Sequence, residues 1–90
     1  MIEIRSPNDE SYEKLPFFAK LGVREVVIID RSKKHPEVYR LAGSQYLAVA
    51  PDSDGWVLCE VLGIRLRAEG EQTAVLAIVD AADPAIRVAI

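Results

Sequence analysis

Residues 25–30 constrain the fold of this chain more than any other stretch. They form the run EVVIID, in which four successive β-branched residues leave no polar face, and such a run predicts a strand covered on both faces. Met1–Arg5 alternates apolar and charged residues, which predicts a half-buried strand. Turn formers at Ser6–Asp9 end that strand, and Ser11–Leu21 then carries apolar residues at helical spacing. Gly22 predicts a left-handed end for this helix.

A strand, a helix and a strand in this order predict a βαβ unit with a right-handed crossover and parallel strands. Glu3 then lies on the first strand, and Lys14 lies in the first turns of the helix. Pro16 falls inside the predicted helix, although proline is tolerated only near a helix start. The regular helix therefore begins late, near Glu13, or begins at a Ser11 cap and bends at Pro16. We favour a loose first turn that carries Lys14.

The rest of the chain predicts antiparallel hairpins, because turn-forming residues separate short apolar runs. Glu37–Ala50 forms the first hairpin. Trp56–Leu62 is the next predicted strand, and Gly63 marks a bulge or bend within a longer one. Thr73–Val79 fits a strand or a short helix and Ala85–Ile90 fits a terminal strand, so we predict a hairpin for this tail. The predicted fold class is α+β, with a mixed β-sheet, one crossover helix and C-terminal antiparallel hairpins.

Length and charge limit the function classes. A chain of 90 residues allows one domain with a modest core. The net charge of −3 argues against a protein that coats nucleic acid by electrostatics alone. A local basic patch is compatible with it, since Arg31, Lys33, Lys34 and His35 fit either a solvated loop or a phosphate contact. The lone Cys59 cannot form an internal disulfide, and its strand context indicates a buried thiol.

The sequence shows no targeting or membrane pattern. The first residues enter a strand pattern directly, with an acidic residue at position 3, which is unlike a signal peptide. No apolar stretch approaches the length of a membrane-spanning helix. We therefore expect a cytoplasmic protein without a membrane partner.

Four segments of the chain share residues with a known family, in the same order. They are EIRSPND at Glu3–Asp9, YEKLPFFAKLGVREVVIID at Tyr12–Asp30, PEVYRL at Pro36–Leu41 and CEVLGIRLR at Cys59–Arg67. On these segments the chain resembles the Uma-type putative restriction endonuclease family, within the PD-(D/E)XK nuclease superfamily. The resemblance runs from about Ile2 to Arg67. We therefore expect a nuclease-like domain over residues 1–68 and a C-terminal extension over residues 69–90, packed on that domain or on a partner.

The resemblance implies a metal-dependent DNA endonuclease with a partial restriction-endonuclease-like fold. It makes Glu3 a catalytic residue and the metal-binding carboxylate. It makes Lys14 the second catalytic residue, a lysine that has moved from the strand onto the following helix. In such nucleases carboxylates hold a divalent cation, usually Mg²⁺, which activates water and stabilises charge on the scissile phosphate. DNA is the partner that the resemblance implies.

The chain also departs from the family pattern. That pattern places another acidic residue, in a Pro-Asp string, on a strand before the one that carries Glu3, whereas this chain begins two residues before Glu3. One carboxylate is a poor magnesium site, because the ion usually takes one or two carboxylates together with waters and phosphates. We therefore expect a truncated domain with an incomplete active site, which in isolation cleaves DNA weakly or not at all.

Other interpretations of these residues stay open. Without the resemblance, Glu3 is an ordinary solvent-facing strand position, and Lys14 is a solvated lysine paired with Glu10. The alternative function is a non-catalytic interaction module that pairs through an exposed sheet edge. If the Met1–Arg5 strand is such an edge, its apolar residues lack cover, and we expect a homodimer, the commonest closed assembly.

Overall fold

The computed structural model describes residues 1–5 and 11–90, without the side chains of Glu3, Arg5 and Ser11. The turn predicted at Ser6–Asp9 and the pairing of Lys14 with Glu10 lie outside the described residues. One short helix and eight strands follow one another along the described chain. They are β1 (Ile2–Arg5), a 3₁₀ turn (Ser11–Lys14), α1 (Leu15–Lys20), β2 (Glu25–Asp30), β3 (Pro36–Ala42), β4 (Gln45–Ala48), β5 (Val57–Cys59), β6 (Ile64–Glu69), β7 (Val75–Asp80) and β8 (Arg87–Ala89).

The strands form two sheets of four, the N-terminal sheet in the order β1-β2-β3-β4 and the C-terminal sheet in the order β5-β6-β7-β8. Strand β1 runs parallel to β2, with Ile2 opposite Val27 and Arg5 opposite Asp30. The other strand pairs of the described residues are antiparallel. The predicted α+β class, the parallel pair and the hairpins are therefore confirmed. What the sequence did not indicate is that the strands divide into two sheets after β4.

The helix starts with a 3₁₀ turn, and regular α-helix begins only at Leu15, with Pro16 as its second residue. The loose first turn is confirmed, and Lys14 is the N-cap residue of α1. Gly22 follows the helix with a φ of +74°, and its N–H donates to the Ala19 carbonyl oxygen at 3.0 Å. The left-handed helix end predicted at this glycine is confirmed as well.

Strand β2 is buried on both faces, as its β-branched run predicts. One face, with Val26 and Ile28, packs against Phe18 of α1. The other face belongs to the core between the two sheets, where β3 lies beside β5 and β6. That core comprises Val27, Ile29, Val38, Val57, Cys59, Leu66 and Leu76. The βαβ unit is thus fixed from both sides, and it sets the position of β1 at the edge of its sheet.

The strand predicted over Trp56–Leu62 is wrong in its extent. Strand β5 ends at Cys59, and Glu60 to Gly63 form a tight turn into β6, so that Gly63 is a turn residue with a φ of +65° and not a bulge. The physical reason lies in a distant side chain. The backbone N–H groups of Glu60 and Val61 donate to the buried carboxylate of Glu25 and not to a neighbouring strand.

The tail resolves the choice between strand and helix in favour of strand. Strand β7 pairs with β6 along six residues, and β8 returns antiparallel to β7.

None of the described helical segments has the length and hydropathy needed to cross a bilayer.

Candidate functional site

Glu3 lies in the middle of the edge strand β1. In the backbone register Glu3 is opposite Ile28 of β2, and Ile28 is opposite Glu37 of β3. Residues paired in this way share one face of a sheet, so the register places positions 3, 28 and 37 in one row across three strands. The side chain of Glu3 lies outside the described residues, and its role as a metal ligand stays a prediction.

Lys14 sits at the junction between the 3₁₀ turn and α1, and its side chain is exposed. Residues of the 3₁₀ turn come within 8 Å of residues of β1, measured between Cα atoms. The fold therefore brings the segment that carries Lys14 next to the strand that carries Glu3. Whether the two charged groups meet stays a prediction.

A second carboxylate, which the sequence analysis missed, lies in the same row of the sheet. Glu37 accepts a hydrogen bond from the Tyr12 hydroxyl through Oε1 and one from the Tyr39 hydroxyl through Oε2, the latter at 2.8 Å. The rings of Tyr12 and Tyr39 meet edge to face, with centroids 6.2 Å apart. Because Tyr12 belongs to the 3₁₀ turn, Glu37 ties the segment of Lys14 to β3. The spacing of Glu37 and Tyr39, which share one face of β3, was the available signal.

The described residues do not by themselves supply a magnesium site. No group of three or more histidine, cysteine or acidic side chains converges among them. Both oxygens of Glu37 accept tyrosine hydroxyls, and Oδ2 of Asp30 accepts the Lys33 N–H at 2.6 Å. A magnesium ion prefers free oxygen ligands in octahedral geometry, so the donors described here do not fit the ion without Glu3.

A third carboxylate, Glu25 at the start of β2, is buried with 4% of its surface exposed. Its Oε1 accepts the Val61 N–H at 2.6 Å and the Cys59 thiol at 3.4 Å. Its Oε2 accepts the Glu60 N–H and the Arg40 Nε–H, each at 3.0 Å. Four donors therefore surround one buried carboxylate, as a buried charge requires.

The same contacts set the pKa values of this cluster. Burial by itself raises the pKa of the Glu25 carboxyl, but the bonds from Val61, Glu60, Arg40 and Cys59 outweigh it and hold that pKa below its ordinary value. Burial raises the pKa of the Cys59 thiol, and the Glu25 carboxylate raises it further. Glu25 thus stays ionised and Cys59 stays protonated near neutral pH. The cluster ties β2 and β3 to the turn after β5.

Residues 1–69 match the sequence profile of the Uma2 family, described as "Putative restriction endonuclease". The chain belongs to the Uma2 family. The search of curated proteins and the search of solved structures found no match. The resemblance seen in the sequence is therefore confirmed, and the family name indicates a restriction endonuclease that acts on DNA.

The Uma2 match covers β1, the Lys14 turn, all of the N-terminal sheet and the C-terminal sheet as far as the last residue of β6. Strands β7 and β8 lie beyond it. Within the matched part, a hollow of about 470 Å³ opens at the end of β2, lined by Asp30, Lys33, His35, Glu37 and Ala68. Glu37 thus lies between the Lys14 turn and the loop that connects β2 with β3.

Proposed function

We propose that this chain is a metal-dependent DNA endonuclease domain, in which Glu3 is the catalytic metal-binding carboxylate and Lys14 is the second catalytic residue. The observation that carries the proposal is the family match over residues 1–69, which includes both residues. The placement of the Lys14 turn beside β1 supports it. Bound Mg²⁺ supplies an activated water and offsets charge on the scissile phosphate.

In this proposal the isolated chain is a weak catalyst or an inactive one. Glu3 is a single carboxylate, and one carboxylate with waters holds Mg²⁺ poorly unless substrate phosphates complete the shell. Lys14 holds a positive charge beside the strand, where it would position or polarise the attacking water. Glu37 is a positioning residue in the same scheme, because it touches the Lys14 turn through Tyr12.

Magnesium-dependent cleavage of supercoiled plasmid and of a short duplex tests the proposal. We expect weak cleavage that Glu3→Ala and Lys14→Ala abolish. Glu13→Ala and Lys20→Ala are matched controls, because both side chains are exposed on the same helical segment. Robust cleavage that Glu3→Ala leaves untouched would show that the assigned site is wrong. Robust cleavage that Glu3→Ala abolishes would show that another carboxylate completes the site.

The alternative function is an interaction module without catalysis, and the edge of the N-terminal sheet favours it. Strand β1 is the terminal strand in the sheet order, and Ile2 and Ile4 on it are each 51% exposed. An exposed edge strand with apolar side chains is a template for another chain. On this ground we propose a homodimer that pairs through β1. The absence of both DNA cleavage and DNA binding, together with a dimer, would favour this function over the nuclease.

Light scattering during size-exclusion chromatography at several concentrations tests the assembly. We expect a dimer that Ile4→Lys dissociates. Val88→Lys is the control, because Val88 is 56% exposed on β8, the terminal strand of the other sheet. A monomer at every concentration contradicts the homodimer, and a dimer that only Val88→Lys dissociates moves the interface to β8.

We also propose that the nuclease-like domain spans residues 1–68 and that residues 69–90 are an extension packed on it. The family match ends at residue 69, and the pairing of β7 with β6 supports packing within one chain. A cytoplasmic location is part of the same proposal.

A further inference from the structure

We propose that the basic loop, residues 31–35 between β2 and β3, is a contact surface for the phosphate backbone of duplex DNA. The inference deepens the proposed function, because it names the element that holds the DNA beside the Glu3 strand. It is carried by the position of the loop, by its fixed backbone and by its cations, which form no ion pair with the carboxylates that the structure describes.

The position of the loop follows from the parallel pair. Because β1 and β2 run in the same direction and Arg5 lies opposite Asp30, the C-terminal ends of both strands lie side by side. The basic loop begins directly after Asp30. Glu3 is paired with Ile28, which lies two residues before the end of β2, a distance of about 7 Å along the strand. A polyanion that approaches Glu3 from the ends of the strands therefore meets the basic loop.

Asp30 fixes the backbone of this loop. Its carboxylate accepts the Lys33 N–H at 2.6 Å, its carbonyl oxygen accepts the Lys34 N–H at 2.8 Å, and its own N–H donates to the His35 carbonyl oxygen at 3.1 Å. Lys34 has a φ of +59°, which non-glycine residues adopt only at a cost. The bonds hold the loop in this form although a lysine occupies the position that suits glycine.

The charged ends of the loop side chains are available to a ligand. Arg31 and Lys33 are exposed, and Lys34 is partly exposed. No carboxylate of the described residues lies within 4.0 Å of the side-chain nitrogens of these three residues. The two acidic neighbours across the hollow are engaged elsewhere, Asp30 with the loop backbone and Glu37 with tyrosine hydroxyls.

Three arginines elsewhere in the described chain are used differently. Arg40 is paired with Glu25 at 3.0 Å, and Arg67 and Arg87 are both paired with Glu69. Those cations neutralise carboxylates of the protein itself, whereas the cations of the basic loop pair with no carboxylate among the described side chains. Lysine and arginine side chains of this kind bind phosphates and release counterions, which makes the affinity depend on salt.

The test measures binding of a fluorescein-labelled duplex of mixed sequence by anisotropy, in EDTA and over a series of NaCl concentrations. The loop variant is Arg31→Gln with Lys33→Gln, which keeps the backbone bond to Asp30. The matched control is Lys20→Gln with Arg24→Gln, because Lys20 at the end of α1 and Arg24 directly before β2 are both exposed, and their replacement removes the same charge. We expect the loop variant to lose about tenfold or more in affinity and about 2 in the slope of log K against log salt, while the control stays near the unmodified chain.

Each outcome has a defined consequence. An equal loss in the loop variant and in the control reports net charge only and overturns the loop assignment. Unchanged binding by the loop variant also overturns it, but leaves the proposed nuclease intact. If the unmodified chain does not bind DNA at low salt, DNA is excluded as its substrate, and both the proposed function and the loop assignment are wrong. Melting curves of both variants check that the fold is retained, and a third variant, Arg31→Lys with Lys33→Arg, keeps the charge and should bind like the unmodified chain.

Discussion

The two ends of β2 carry the same kind of side chain and use it in opposite ways. At the start of the strand, Glu25 is buried and accepts four donors from two other segments of the chain, Arg40 on β3 and residues 59–61. At the end of the strand, Asp30 accepts hydrogen bonds from the backbone of the loop that follows it, and the side chains of Arg31 and Lys33 in that loop are exposed. One end is closed by internal bonds, and the other presents charge to a ligand.

The difference indicates which end of β2 contributes to stability and which end contributes to ligand binding. A buried carboxylate must be satisfied by the protein, since an unpaired charge in the interior is costly. An exposed cation without a protein partner costs little, because water solvates it until a phosphate replaces the water. The end of β2 at Glu25, called the closed end, should therefore govern unfolding. The end at Asp30 and the basic loop, called the open end, should govern binding.

Removal of Glu25 has the largest expected effect on stability. Glu25→Ala leaves the backbone N–H groups of Glu60 and Val61 and the Nε–H of Arg40 without their acceptor, so we expect a loss of about 3 kcal/mol in the free energy of unfolding. Glu60→Ala is the control, because Glu60 pairs with the same arginine at 3.5 Å but is 57% exposed. Its loss should stay below about 1 kcal/mol. Urea unfolding measures both, and a similar small loss for the two variants would contradict the closed end.

Acidification weakens the same end of the strand. The pKa of the Glu25 carboxyl is lower in the folded protein than its ordinary value of 4.5. Its contribution to stability is therefore complete above that value and is lost as the pH falls through the folded pKa. We expect the unmodified chain to lose stability more steeply below pH 4.5 than Glu25→Gln, measured as the free energy of unfolding from pH 7 to pH 3. Parallel curves for the two proteins would show that other carboxyls cause the acid sensitivity.

The open end is held by a smaller network, and Tyr12 tests it. Tyr12→Phe removes the hydroxyl that joins the 3₁₀ turn to Glu37, and we expect a loss of about 1 kcal/mol in stability. Hydrogen exchange should become faster in the 3₁₀ turn and α1. Tyr39→Phe removes the other hydroxyl bond to Glu37 but leaves the turn attached, so exchange in the turn should stay unchanged. Equal acceleration in both variants would mean that Glu37 does not tether the Lys14 segment.

The smallest expected effect is an increase in stability, for a substitution at Lys34. Lys34→Gly relieves the left-handed conformation in the basic loop, and we expect a stabilisation of about 0.5 kcal/mol together with weaker DNA binding. Gly43→Ala is the reverse change at a turn with a φ of +67°, and it should destabilise the chain. Thermal unfolding and anisotropy measure the two quantities. A Lys34→Gly variant that is less stable would show that the side chain itself holds the loop.

Local patterns were sufficient for the parts of the fold that local physics determines. The β-branched run of β2, the loose helix start before Pro16 and the helix end at Gly22 were all predictable, because each depends on neighbouring residues. The buried role of Glu25 was not, since its partners lie 15 to 36 residues further along the chain. The early end of β5 follows from the same contacts and was missed for the same reason.

The candidate site was less accessible to sequence reasoning than the fold. Glu3 and Lys14 were named through the family resemblance, and composition or periodicity alone would have left both as solvated surface residues. The link from Tyr12 to Glu37 spans 25 residues and joins segments that only the folded sheet brings together. The charge of the basic loop was visible in the sequence, but its place beside the Glu3 strand depends on the parallel register.

The reactivity of the Cys59 thiol can report opening of the structure near the start of β2. Its thiol is 1% exposed, lies in the core between the sheets and is kept protonated by burial and by the Glu25 carboxylate. The thiolate is the form that reacts with disulfide reagents, so labelling requires the sheets to part at this point. The labelling rate of the native protein therefore reports how often the sandwich opens, on a timescale that static contacts do not record.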